Sequence, residues 1–228
     1  MNKYYLILII FLVGMIAGVL QHDLAVPALS EGEGAYRHGI RGYNQISLTF
    51  NVDWGGEYIP SILDILEEKN VKATFFLTGN WAEKNPELTR KITEQNHEIG
   101  NHGYRHRHLT EISESGLIDL IKKNEELLYE LTEERTSLFA PPYGEVDRRI
   151  TSIAESIDYK TILWSADTID WQRPSPGLIV QRAVNKVSDG GIILMHPTEP
   201  TVRALPDIIT TLQNRGFNFV TVSQLIEE

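Results

Sequence analysis

From residue 44 onward the chain alternates two kinds of apolar pattern. Short runs dense in Ile, Val, Phe and Thr recur seven times, as "QISLTFNV", "KATFFLTG", "HEIGNHG", "TSLFAPP", "KTILWSAD", "GGIILMHP" and "FNFVTV". Their length and composition predict strands. Between them lie "YIPSILDILEEKN", "PELTRKITEQN", "GLIDLIKKNEELLYELTEE", "RRITSIAESID", "PGLIVQRAVNKV" and "LPDIITTLQNRG". Apolar residues recur there at helical spacing, which predicts amphipathic helices. Regular alternation of the two predicts a parallel α/β sheet, because parallel neighbours need a crossover. Seven such units suit a barrel better than an open sheet.

Polar residues collect where the predicted strands end: Asn51 and Asp53, His102 and His106, Pro142 to Gly144, Asp167 and Asp170, and His196. In parallel α/β folds the C-terminal strand ends form one face, and that face carries the chemistry. Five strand ends therefore point to one pocket.

The first 42 residues follow a different pattern. Lys3 precedes an uncharged, largely apolar run over residues 4–20, and a polar segment follows. This predicts an N-terminal membrane anchor or signal segment over residues 1–22, a linker over 23–42, and a domain over 43–228. With Lys3 on the cytoplasmic side the domain is extracytoplasmic, either anchored or secreted. A formal net charge of -10 argues against nucleic acid as a partner. Cysteine is absent, so any metal must be held by His, Asp or Glu.

His102 and His106 in "NHGYRHRH" stand four apart, a spacing that lets two imidazoles approach one ion. Asp53 would add a carboxylate and leave coordination positions open, as a catalytic rather than a structural metal set requires. His108 falls beyond the pair and reads as loop or rim. A glycosidase, the rival built on paired carboxylates, has no use for three histidines at strand ends.

The ordered segments "TFNVD", "HGYRHRHL", "APPYG", "DTIDW" and "LMH" resemble the five motifs of the NodB-type polysaccharide deacetylases, carbohydrate esterase family 4. The resemblance spans nearly the whole domain. It implies a deformed (β/α)7 barrel and metal-dependent de-N-acetylation of a glycan, such as peptidoglycan or a chitin-like oligosaccharide, on a divalent ion, most often Zn2+. Carried over motif by motif, Asp53, His102 and His106 would bind the metal. His196 would be the general acid, with Asp170 hydrogen-bonded to it and raising its pKa. The Tyr143 backbone N–H would stabilise the oxyanion. Trp171 and Leu194 would form the slot for the acetyl methyl, beside Pro142 and Tyr143.

Three positions depart from the family pattern. Asn51 stands where the family carries its general base. Ala140 stands where it carries an arginine that pairs with that base, and Gly103 replaces a Ser or Thr in the histidine motif. Loss of a carboxylate and of its cationic partner together leaves no unpaired cation beside a divalent ion. Two readings follow: a deacetylase weakened at Asn51, or a catalytically silent homologue that binds glycan.

Overall fold

The computed structural model describes residues 34–227. The predicted segment at residues 1–22 lies outside them, and no helix among the described residues is long and apolar enough to cross a membrane. In chain order the strands are β1 (Ala35–Tyr36), β2 (Gln45–Val52), β3 (Thr74–Leu77), β4 (Glu98–Asn101), β5 (Leu138–Phe139), β6 (Lys160–Ile162), β7 (Ala166–Asp167), β8 (Ile192–Met195) and β9 (Asn218–Phe219). The helices are α1 (Ile59–Glu68), α2 (Gly79–Lys84), α3 (Pro86–Glu94), α4 (Glu114–Thr132), α5 (Arg148–Ser156), α6 (Pro176–Lys186), α7 (Glu199–Asn214) and α8 (Val222–Ile226).

All strand pairs are parallel, in the order β1-β6-β5-β4-β3-β2-β8-β7, with β9 added to the start of β2. The expected deformed barrel is thus a parallel half-barrel wrapped in helices. Two details go beyond the sequence reading. "KTILWSAD" is two strands rather than one: β6 pairs with β5 and β1, whereas β7 pairs with β8. Residues 163–165 carry the chain from β6, next to the edge strand β1, to β7 at the opposite edge; Leu163 N donates to Tyr36 O on the β1 side and Ser165 N to Ile192 O on the β8 side. Covalent chain, with one isolated antiparallel bridge between His38 and Gly191, therefore spans the gap that no strand ladder closes. The second detail is β1, which lies within the stretch read as linker and buries Ala35 completely.

Burial explains why these runs became strands. Seven of the eight residues of β2 are buried, so both of its faces are covered: Ile46, Leu48, Phe50 and Val52 join the core, and the alternating Ser47, Thr49 and Asn51 are buried on the other face. Phe50 and Phe75 stack across β2 and β3 at 4.9 Å between ring centroids. Ser113, Asp147 and Thr198 accept backbone N–H bonds at the starts of α4, α5 and α7, and Thr221 forms a capping box with Gln224 at α8. Each cap satisfies a donor the helix would otherwise leave bare.

Candidate active site

The C-terminal ends of β2, β4, β7 and β8, with the loop after β5, surround one cavity. Asn51, Asp53, Trp54, His102, His106, Tyr143, Gly144, Trp164, Asp167, Trp171, Leu194 and His196 line it. Of the residues given a site role from sequence, Pro142 and Asp170 lie behind this wall, both buried, and His108, Gly103 and Ala140 also lie outside the lining. Register explains part of the convergence. Thr49 on β2 faces Leu194 on β8, which faces Asp167 on β7, so these side chains share one face of the sheet with Asn51.

His102 follows β4 directly and is buried. Its Nδ1–H donates to the Ala140 carbonyl at 2.6 Å, which leaves Nε2 as the free nitrogen. Burial is the main reason its pKa falls to about 3, with His106 adding to the effect, so the ring stays neutral and able to donate a lone pair. The backbone beneath it is braced. Asn101 Oδ1 accepts from Gly103 N at 2.8 Å and from Asn124 Nδ2 at 2.9 Å, while Asn124 also donates to Leu77 O. His106 meets His102 edge to face, with centroids 5.1 Å apart. Burial lowers its pKa, and the Asp53 carboxylate partly opposes that shift. Asp53 Oδ1 accepts from Thr78 Oγ1 at 2.9 Å.

These donors are of the right chemistry for a divalent ion: neutral imidazole nitrogens and a carboxylate already fixed at one oxygen. Among the described residues, however, no three such groups stand together as a complete coordination set.

Across the cavity, His196 follows β8. Its Nδ1–H donates to Asp170 Oδ1 at 2.8 Å, and its backbone N–H donates to Asp170 Oδ2 at 2.7 Å. Asp170 is fully buried and also accepts from Thr201 Oγ1 at 2.6 Å. The turn that presents it places Ile169 at φ 52, a strained conformation for a β-branched residue. That turn is held by Asp167 Oδ1 accepting from Ile169 N, and by Arg182 donating to Thr168 O. The pair thus fixes the tautomer and orientation of His196, with Nε2 left for chemistry.

Sequence reasoning missed two aromatic walls. Trp54 lies parallel to the His196 ring, 3° apart in plane. The following Gly55 (φ 77) fits against the Pro197 carbonyl so closely that any Cβ would collide with it. Trp164 packs on Gly144, where a Cβ would strike the indole. Among the described residues five large apolar side chains are notably exposed, and three of them, Trp54, Tyr143 and Trp171, belong to this cavity. An exposed aromatic cluster around a polar cleft marks a binding surface.

The chain matches the family profile described as polysaccharide deacetylase over residues 39–162. A peptidoglycan-N-acetylglucosamine deacetylase from Bacillus cereus is 36% identical over 200 residues, covering 84% of this chain and 73% of that protein. The uncharacterized protein YlxY of Bacillus subtilis is 38% identical over 183 residues, covering 80% of this chain; the match spans only 57% of YlxY. The crystal structure of a CE4 family pseudoenzyme from Bacillus anthracis superposes with a TM-score of 0.83 at 37% identity, covering 89% of this chain and 70% of that one. A mutant of that pseudoenzyme with restored enzymatic activity superposes equally well, at 0.83 and 36% identity, over 89% of this chain and 72% of its own. The chain belongs to the polysaccharide deacetylase family.

Proposed function

We propose that this domain carries out metal-assisted de-N-acetylation of an N-acetylated cell-wall glycan of the peptidoglycan type, slowly, because its proton acceptor is an amide. The observation that carries this reading is the convergence in one cavity of Asp53, His102 and His106 on one side and the Asp170-held His196 on the other. Asp53, His102 and His106 would hold the ion, with Zn2+ best suited to nitrogen-rich donors. When bound, the ion lowers the pKa of water and polarises a carbonyl.

The chain's own residues supply the rest. His196 Nε2 gives a proton to the departing sugar amine, and Asp170 keeps its ring in register for that transfer. Tyr143 and Leu194 wall the acetyl group, and Trp54 and Trp171 offer faces to the sugar. Asn51 can accept or donate a hydrogen bond but cannot take up a proton. Absence of a general base costs about 10²–10⁴-fold in rate.

A second reading, glycan binding without turnover, is favoured by that same amide and by the pseudoenzyme among the structural relatives. One experiment separates the two. Acetate release from N-acetylated chitooligosaccharide and peptidoglycan is measured for the zinc-loaded protein and for Asn51→Asp, with His106→Ala as control. Turnover by the unchanged chain that His106→Ala abolishes supports deacetylation. Turnover confined to Asn51→Asp, together with binding by the unchanged chain, assigns it to recognition. Silence in both proteins overturns the deacetylase reading for these substrates. The apolar run at residues 4–20 supports an extracytoplasmic setting, held at a membrane or released from it, where such a glycan is available.

A further inference from the structure

His108, next to the histidine pair yet outside the cavity lining, stands in an arrangement the reaction above does not use. Its ring lies flat on Tyr143, with centroids 4.1 Å apart and planes within 7°. Its Nδ1–H donates to Glu145 Oε1. The other oxygen of Glu145 accepts from Leu109 N at 2.7 Å and Thr110 N at 3.4 Å, so the carboxylate is tied to the loop that carries His108. On a second side of Tyr143, His106 packs edge-on at 4.3 Å.

Tyr143 needs such support. It holds φ 58 and ψ 4, a left-handed conformation that is costly for a bulky residue, and it is 57% exposed. An exposed, strained aromatic persists only where its surroundings determine it. A histidine bonded to a glutamate also looks like an acid–base dyad. Tyr143 lines the cavity and His108 stacks behind it, so the dyad does not face the reacting space.

We propose that His108, locked by Glu145, is a positioning residue that clamps Tyr143 in its left-handed conformation and so sets the glycan-binding wall of the cavity. The ligand is the N-acetylated sugar of the proposed function, and the inference rests on that reading for its ligand but not for its geometry. The strain at Tyr143 is of the order that, once released, weakens binding about tenfold.

The test compares the unchanged protein with His108→Ala, His108→Phe and Glu145→Gln. Three quantities are measured: the φ of Tyr143 in crystals, the affinity for an N-acetylglucosamine pentasaccharide by calorimetry, and the affinity for Zn2+. In His108→Ala, Tyr143 should leave the left-handed region and glycan affinity should fall about tenfold, with Zn2+ affinity unchanged. His108→Phe, which keeps a flat ring, should recover most of the affinity, and Glu145→Gln should lie between the two. An unmoved Tyr143 with unchanged glycan affinity overturns the proposal. So does a loss of Zn2+ affinity with Tyr143 unmoved, which would make His108 a metal ligand. If the unchanged protein binds no pentasaccharide, the proposed function fails, and the Tyr143 conformation alone still decides for or against the clamp.

Discussion

At the scale of single residues, the site turns on an amide. Asn51 is 7% exposed, lines the cavity and shares a strand end with Asp53, so a carboxylate there would face the same space. Asn51→Asp is expected to raise acetate release by about 10²-fold or more, read from initial rates on chitooligosaccharide. Trp54→Ala is expected to weaken oligosaccharide binding by about 1 kcal/mol through loss of an exposed stacking face, while Trp54→Phe retains most of it; calorimetry decides. Residues to which the proposed reaction assigns chemistry were legible in the sequence. Asp53, His102, His106, Asp170 and His196 are polar groups at the ends of apolar strands, a pattern with few other uses. Residues that act by support were not. Thr78, Thr201 and Glu145 take their meaning from partners 25, 31 and 37 positions away, and no local pattern announces those contacts.

Elements show the same division. The long helix α4 was legible from its apolar spacing, and its buried face runs Leu117, Leu120, Ile121, Asn124, Leu128. A polar residue in that stripe was the available signal for the brace under His102. Asn124→Ala takes one of two donors from the Asn101 amide oxygen and from the Leu77 carbonyl, which keep Gly103 N and His102 N, and is expected to cost about 1–2 kcal/mol in chemical denaturation. Strand β4 carries another hidden requirement just before it begins. His97 is buried, and its Nδ1 accepts from Ala73 N, so it must remain neutral in the fold. Burial, aided by Lys72, pushes its pKa down to about 4. The unfolded chain binds that proton more readily, so stability is fully present above about pH 6.5 and declines as pH falls toward 4. His97→Asn, which keeps an acceptor for Ala73 N, should flatten the pH dependence of unfolding. Division of "KTILWSAD" into β6 and β7 was not legible, because continuous apolar character marks burial and says nothing about which neighbour each residue pairs with.

For the whole molecule, ligand and fold are linked. Zinc that binds the folded chain alone should raise its melting temperature, by an amount equivalent to about 2.7 kcal/mol at a hundredfold excess over Kd. His102→Ala should remove most of that gain in a thermal shift assay. The half-barrel itself was legible as regular alternation, but its open ladder was not, since closure depends on strand tilt and register. A sheet whose β6 and β7 sides are tied by residues 163–165 works as a clasp. Widening it strains those three residues and the His38–Gly191 bridge, yet separates no pair of strands, since the hydrogen bonds of Leu163 and Ser165 are each made on their own side of the gap. Trp164 is the pin of that clasp, set in the tie and resting on Gly144 while it lines the cavity. The girth of the cleft, and with it the thickness of the chain it can admit, is therefore governed by a span that belongs to no strand at all.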